Sequence, residues 1–386
     1  MAEKMIRELF EPTGIGINGS NPWDIRVLDD RFYRRVVRDK SLGLGESYMD
    51  GWWTCARIDE LTVRLLRIRP EDRVSAGLRH LPAFLATLLR NPQSRRRARI
   101  VAERHYNLGN DFFGALLDPY RQYSCAYFAA DGCSLEDAQL AKMDLICRKL
   151  ELRAGDHLLD IGCGWGGLAK FAAEHYGCRV TGVNISTEQL AFARGFCAGL
   201  PVDFLECDYR TMQGSYDKIV SVGMFEHVGH RNYRTFMDTV HRCLKPDGIF
   251  LLHTIGCNHS SAYADPWISK YIFPNGKLPG PAQAVRAAEP YCVIEDVHNL
   301  GPHYDPTLME WNRRFQEAWP RFRGEYGERF KRMWEYYLLS CAGAFRARNV
   351  QLWQFQMTRR GGARPQPWSR ESGVSAAAET HAVPTG

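Results

Sequence analysis

Asp160-Ile-Gly-Cys-Gly-Trp-Gly-Gly167 follows the apolar run His157-Leu-Leu-Asp160 and precedes a helical segment, which makes it a glycine-rich strand-to-helix turn. Glycines at such a junction let backbone amides approach a ligand closely, and amides at a helix N-terminus suit a nucleotide-like one. Gly162, Gly164 and Gly167 also satisfy the dinucleotide fingerprint. Two residues argue against NAD: Asp160 stands just before the first glycine, and Asn184 ends the next strand where NAD recognition needs an acid on the ribose. A tight junction with no ligand is the plain alternative. Around the turn, short aliphatic runs recur with helical segments between them: Arg179-Val-Thr-Gly-Val183, Asp203-Phe-Leu-Glu-Cys207, Asp217-Lys-Ile-Val-Ser-Val222 and Gly248-Ile-Phe-Leu-Leu-His253. Strands alternating with helices predict parallel βαβ units in a doubly wound α/β sheet.

The turn resembles the donor loop of class I S-adenosylmethionine-dependent methyltransferases, a Rossmann-like fold whose ligand has no pyrophosphate. On that resemblance Gln189 takes the ribose hydroxyls and Asp208 accepts from the adenine amine, although polar residues at strand ends also serve as caps and turn formers. Ligands of such sheets sit beyond the carboxyl ends of the strands. The fourth and fifth strands end in Gly223-Met-Phe-Glu-His-Val-Gly229 and His253-Thr-Ile-Gly256, which brings Glu226 and His253 together to hold a base or a small anion. Either residue alone would more often be structural. No metal is predicted, because Glu226, His227, His230 and His253 lack a ligand spacing. Upstream, His105-Tyr-Asn-Leu-Gly-Asn-Asp111 and Tyr123-Ser-Cys-Ala-Tyr127 fall outside the core sheet and are candidates for a lid. Cys125 reads either as a nucleophile or as a small buried hydrophobe.

At about 150 residues per domain, 386 residues suggest two domains and a tail. Hydrophobic residues at 45% and charged residues at 24% exclude wholesale disorder. Asn91-Pro-Gln-Ser94 followed by Arg95-Arg-Arg-Ala-Arg99 is the best linker, dividing an N-terminal lipid-associating domain (1–92) from a catalytic domain (93–360), with a disordered tail (361–386) rich in Gly, Pro, Ser and Ala. Ala83-Phe-Leu-Ala-Thr-Leu-Leu89 is far too short to cross a bilayer, and the charged N-terminus lacks a signal-peptide core, so a cytoplasmic protein is expected. Twelve scattered cysteines without a Cys-x-x-Cys pair predict reduced thiols. Residues 61–104 hold eleven Arg against Glu71, Asp72 and Glu103, so the +6 charge of the chain is concentrated there and points to an anionic partner. The segment has little aromatic interleaving, which argues against nucleic acid. Phe330, Met333, Trp334, Tyr337, Leu338 and Cys341 mark one helix face, read as core or subunit interface rather than a lipid channel wall, and Leu352-Trp-Gln-Phe-Gln-Met-Thr358 alternates like a last strand.

Six blocks together resemble the bacterial cyclopropane fatty acid synthase family, and within it the phospholipid-acting members: Gly43-Leu-Gly-Glu-Ser-Tyr-Met-Asp-Gly-Trp-Trp53, His105-Tyr-Asn-Leu-Gly-Asn-Asp111, Gln122-Tyr-Ser-Cys-Ala-Tyr127, Leu159-Asp-Ile-Gly-Cys-Gly-Trp-Gly-Gly167, Gly223-Met-Phe-Glu-His-Val-Gly229 and Asp265-Pro-Trp-Ile-Ser-Lys-Tyr-Ile-Phe-Pro-Asn-Gly276. The likeness runs from about residue 14 to residue 358. Its first block lies in an N-terminal domain that the related mycolic acid enzymes lack. The resemblance implies methylene transfer from S-adenosylmethionine across a cis double bond of a phospholipid acyl chain. It implies a bound bicarbonate as base, held by Cys125, Glu226, His253, the backbone of Ile255, and Tyr304. Donor contacts implied in the same way are Tyr123, Ser124, Gly162, Gly164, Trp165 and Gln189. A homodimer is implied as well. Asn107 departs from the family, which has Asp there.

The chemistry agrees with these expectations. An alkene is a poor nucleophile, so the site must be dry and must align the π bond with the sulfonium methyl. The carbocation left on the acyl chain would be stabilised by aromatic faces such as Tyr271, Phe273 and Tyr304, by about 0.5 to 2 kcal/mol each. A base then removes a proton from the new methyl and the ring closes. Arg79, Arg90, Arg95, Arg96, Arg97 and Arg99 beside Leu81–Leu89 form a basic amphipathic segment suited to the anionic inner face of a membrane, at about 1 kcal/mol per Arg, or else a solvated helix face. Two rival functions are a methyltransferase of small molecules and a non-catalytic lipid-binding protein. The first leaves residues 1–90 without a role, and the second leaves the intact Glu226, His253, Tyr304 and glycine turn unexplained.

Overall fold

The structure is a computed structural model whose described residues are 1–67, 108–260, 265–274 and 276–362. The 92/93 boundary, the linker, Arg79–Arg99, His105, Tyr106, Asn107 and the tail from residue 363 lie outside them.

The chain opens with α1 (Ala2–Phe10), α2 (Arg31–Met49) and α3 (Ile58–Leu66), and a short antiparallel ribbon pairs β1 (Arg26–Val27) with β2 (Trp53–Thr54). Helix α2 is broken at Lys40, where φ is 54°. Next come α4 (Gly109–Leu116) and α5 (Leu135–Lys149). The Ser134 hydroxyl caps α5 by accepting from the Asp137 N–H at 3.1 Å, worth about 1 kcal/mol.

The five runs expected to form parallel βαβ units are strands: β3 (His157–Ile161), β4 (Arg179–Asn184), β5 (Val202–Glu206), β6 (Tyr216–Val222) and β7 (Leu244–Cys257). With β8 (Cys292–Asn299) and β9 (Val350–Arg359) they form one sheet in the order β5-β4-β3-β6-β7-β9-β8. The first five are mutually parallel, and β9 runs antiparallel between β7 and β8. The helices α6 (Gly167–Tyr176), α7 (Thr187–Phe196) and α8 (Tyr233–Cys243) alternate with these strands. They are followed by α9 (Pro266–Tyr271), α10 (Pro281–Ala288) and the long α11 (Gly301–Arg346), which is interrupted at Gly327.

Helices cover both faces of the sheet, so its central strands must be apolar on both sides. Leu159 packs on one face with Phe225, Phe236 and Phe250, while its neighbour Leu158 packs on the other with Ile146, Phe171 and Leu251. Because the chain steps outward from β3 to β5 and then returns to β6, the order reverses beside β3. A crevice opens at the carboxyl ends of the strands there.

A third cluster joins the first 67 residues to the rest. Phe32, Tyr48 and Trp53 share one core with Trp311, Trp334, Tyr336 and Tyr337 of α11. The helix face predicted from Phe330 to Cys341 is therefore core: Trp334, Tyr337 and Leu338 are buried in it and Phe330, Met333 and Cys341 pack against it. Polar links reinforce the junction. Arg346 reaches Asp59 at 2.7 Å and Glu60 at 2.6 Å, and Arg332 donates to the backbone oxygens of Tyr48 at 2.5 Å and Trp53 at 2.7 Å.

Candidate active site

The glycine turn forms the floor of a cavity at the reversal point. The walls are the ends of β3 (Asp160–Trp165), β4 (Val183–Ile185) and β6 (Val222–Met224, with His227 and Val228 beyond), the segment Cys207–Arg210 after β5, and the loop Arg121–Ser124. Backbone geometry explains the glycines. Gly162 has φ of 89°, and a Cβ there would lie 2.7 Å from Met224. At Gly167 a Cβ would strike the Tyr120 carbonyl oxygen at 1.8 Å, so the helix could not start so close to the upstream loop.

Every residue that the resemblance assigns to the donor lines this cavity: Tyr123, Ser124, Gly162, Gly164, Trp165 and Gln189. So do Asp160 and Asp208. The Asn184 side-chain oxygen is occupied by the Ile185 and Ser186 N–H groups, and its amide donates at 2.8 Å to the Gln189 oxygen. Gln189 therefore presents its own amide N–H groups to a ligand. Asp208 acts as the turn former that its position at a strand end allows. Its carboxylate caps a turn through the Arg210 N–H at 3.0 Å and pairs with the Arg210 guanidinium at 2.6 Å, and it borders the cavity. Trp165 donates its indole N–H to the Asn110 side-chain oxygen at 2.7 Å, which ties α4 over the glycine turn as a lid-like element would be. Asp160 is fully buried, and burial raises its carboxyl to about 7 against the opposing pull of Lys142.

The second group of residues lies against this cavity rather than in its lining. Glu226 is buried just after β6, and its Oε1 accepts the Ile255 N–H at 2.6 Å, so the backbone of Ile255 orients the carboxylate. Its Oε2 is buried without a hydrogen-bond partner among the described residues. Burial raises this carboxyl to about 7, while hydrogen bonds from backbone N–H groups, Ile255's among them, and from the Thr254 side chain pull the other way. His253 lies inside β7, which runs on to Cys257 because β9 pairs with it through Cys257↔Val350. One ring nitrogen of His253, Nδ1, meets the Gln354 amide at 3.1 Å, while Nε2 is buried without a partner among the described residues. Burial, with Lys142 and Lys149 nearby, holds this imidazole neutral. Tyr304 at the start of α11 is buried within electrostatic reach of Cys125 and Glu226. The Cys125 thiol donates to the Ala126 carbonyl at 3.2 Å, and burial pushes it upward, which disfavours a nucleophilic thiolate. Glu226 thus meets Ile255, Tyr304 lies near Cys125 and Glu226, and His253 adjoins the cavity through its carbonyl, which accepts from the Gly223 N–H at 2.9 Å; one carboxylate oxygen of Glu226 and one imidazole nitrogen of His253 are left without a partner among the described residues.

Sequence reasoning missed Lys142 and Gln354 and weighed His227 only as a metal ligand. His227 lines the cavity and is held at about 4 by burial. Lys142 lies behind Ser124, and Gln354 behind His253. Lys142 did leave a signal, since it falls on the face of α5 that Ala138 and Ile146 bury. Among the described residues no cluster of side chains could hold a metal, and no helix is long and apolar enough to cross a membrane.

A family model described as mycolic acid cyclopropane synthetase matches residues 93–355. The chain belongs to the mycolic acid cyclopropane synthetase family. It is 52% identical over 356 residues to the cyclopropane-fatty-acyl-phospholipid synthase of Escherichia coli (strain K12), covering 92% of this chain and 93% of that one. Cyclopropane mycolic acid synthase 1 of Mycobacterium tuberculosis (strain H37Rv) is 36% identical over 270 residues, 65% of this chain and 94% of that protein. The solved structure of mycolic acid cyclopropane synthase CmaA1, complexed with SAH and CTAB, superposes with a TM-score of 0.63 at 34% identity, over 67% of this chain and 97% of that one. This member of the family is an S-adenosylmethionine-dependent methyltransferase with the class I fold.

Proposed function

We propose that this cyclopropane synthase family member adds a methylene to a cis double bond of an acyl chain esterified in phospholipid. The observation that carries the reading is the adjacency of the donor cavity to the buried group of Glu226, His253, Cys125 and Tyr304, in a chain alike over nearly its whole length to a phospholipid-acting relative. S-adenosylmethionine supplies the one-carbon unit. Gly162, Gly164, Trp165, Tyr123, Ser124 and Gln189 hold the donor, with Asp160 and Asp208 at its edges. Tyr123, Trp165 and Tyr209 give the donor cavity aromatic walls, and a site emptied of water by the bound ligands keeps solvent from competing with the alkene for the methyl.

Methyl transfer leaves a cation on the acyl chain, and loss of a proton from the new methyl closes the ring. Bicarbonate, seated between the unsatisfied Glu226 Oε2 and His253 Nε2, would supply the base there. Tyr304 and Cys125 complete that seat, and Ile255 contributes by fixing Glu226 through its N–H.

We extend the proposal to the partners. An anionic membrane surface at the inner face of the cell membrane is engaged by residues 1–92 and the arginine-rich stretch beyond them, and a second copy of the chain completes a homodimer. The charge pattern supports the first and the family resemblance the second. Purified protein, incubated with donor and vesicles of cis-monounsaturated phospholipid, is expected to yield lipids heavier by one methylene and lacking the double bond. Methylated head groups with intact alkenes would overturn the reading. Vesicle sedimentation that weakens as salt rises would support the electrostatic surface, and salt-independent binding would contradict it.

A further inference from the structure

Helix α5 carries a lysine where its packing face calls for an apolar side chain. Lys142 lies one turn from Ala138 and one turn from Ile146 and is, like them, fully buried. Taking an ammonium out of water costs several kcal/mol unless its donors are satisfied, so such a residue persists only where it has a task. Its direct partners are neutral oxygens. The ammonium donates to the Gln122 side-chain oxygen and, at 3.0 Å, to the Ser124 hydroxyl. The carboxylates of Asp118 and Asp160 stabilise it from farther away, and burial brings it down to about 8, which leaves it charged at neutral pH.

These contacts fix the polarity of the loop that faces the donor. The Ser124 hydroxyl oxygen accepts from Lys142, so its proton must point elsewhere, and Ser124 lines the donor cavity. The Ser124 carbonyl is already used by the Gln139 amide at 2.9 Å. Gln122 is committed in the same way, its oxygen toward Lys142 and its amide to the Tyr120 carbonyl at 3.1 Å. The cavity thus meets an O–H polarised by an ammonium behind it, a donor suited to an anion. S-adenosylmethionine carries one anionic group, the carboxylate of its amino-acid end; its sulfonium and ammonium are both cationic.

We propose that Lys142 is a positioning residue for the donor's carboxylate, acting through the Ser124 hydroxyl. The inference rests on the reading of Ser124 as a donor contact. It assigns the methionine end of the donor to the Arg121–Ser124 side of the cavity and the adenosine end to the Gln189 and Asp208 side. The arrangement also gives selectivity, because a ligand without the carboxylate leaves the polarised hydroxyl unmet.

Calorimetry with two ligands tests it: S-adenosylhomocysteine, and S-adenosyl-3-thiopropylamine, which differs from it by lacking only the carboxylate. Wild-type protein is expected to bind the first more tightly. Lys142→Met should weaken S-adenosylhomocysteine by about tenfold, the scale of a charge-assisted hydrogen bond, and leave the decarboxylated ligand within about twofold. Ser124→Ala should reproduce that selective loss, and the double variant should lose little beyond either single one. Equal weakening of both ligands, or of neither, overturns the proposal. Where Lys142→Met fails to fold, Lys142→Gln, which removes the charge and keeps a polar group on the helix, decides by the same comparison, because Ser124→Ala alone reports only the direct contact. Failure of wild-type protein to bind S-adenosylhomocysteine at all would overturn the donor reading itself, and this inference with it.

Discussion

Glu226 shows how burial sets the pH at which a side chain can act. Its carboxyl is raised to about 7 by burial, so it is neutral below that pH and ionised above it. Only the ionised form accepts a hydrogen bond through Oε2 from an anion's own O–H. At fixed bicarbonate concentration, turnover should therefore climb as pH passes through about 7. Glu226→Gln should remove that climb and lower kcat by about a hundredfold, with S-adenosylhomocysteine affinity changed by no more than about twofold. A pH profile that keeps its climb in the variant would assign the titration to another group. Gly162→Ala probes the other half of the site. With φ of 89° and Met224 only 2.7 Å from the added Cβ, the turn is strained by about 1–2 kcal/mol. Donor binding should fall at least about tenfold in calorimetry, and unchanged affinity would show that the turn does not carry the donor. Glu226 and His253 could be paired from sequence because each stands at or near the end of an apolar run. Lys142 and Gln354 could not, since Lys142 meets an irregular loop that has no periodicity and Gln354 meets His253 across strands 101 residues apart, and only packing brings each pair together.

Elements were legible where both faces are buried. The central strands β3, β4, β6 and β7 carry buried aliphatic stretches, and edge strand β5 is betrayed by its alternating Val202-Asp-Phe-Leu, whereas β8 at the other edge is mostly half-buried, carries Glu295, Asp296 and His298, and went unanticipated. The apolar stripe in α11 could be read only after Gly327, because Pro306, Pro320 and the break at Gly327 divide the periodicity before it. One element interaction has a measurable pH signature. Glu46 of α2 accepts from Lys270 at 2.6 Å and from the Tyr271 hydroxyl at 2.8 Å in α9, and it pairs with Arg35. Burial alone would raise this carboxyl, but the three hydrogen bonds overcome it and bring it down to about 2, against 4.5 for an unperturbed Glu. The folded value is depressed, so the stabilisation is fully present above about pH 4.5 and is lost as pH falls toward 2. Glu46→Gln should cost about 2 kcal/mol in chemical denaturation at pH 7, and its curve should converge with wild type as the solution is acidified. Parallel curves across that range would show that the ionised carboxylate contributes nothing.

At the scale of the whole molecule, the length suggested two domains, and the described residues before 68 share one aromatic core with α11 and are bound to it by Arg332 and Arg346. The sequence could not show this, because an interface between segments nearly 300 residues apart leaves no periodic trace in either. The consequence is functional. Glu46 grips α9, and the chain after α9 passes Phe273, packed edge-on to Tyr337 and His227, and Pro274, which lines the donor cavity, before Lys277 donates its N–H to the Glu226 carbonyl at 2.9 Å. The first domain is thus tied to the wall of the reaction site by a short run of chain. The central claim, that a methyl is added to an alkene and then deprotonated at this site, is tested most directly by supplying donor with a trideuterated methyl and analysing the lipid product by mass spectrometry and NMR. The account predicts a cyclopropane ring whose new carbon keeps two of the three deuterons; a product that retains all three, or one in which the double bond survives, would contradict it.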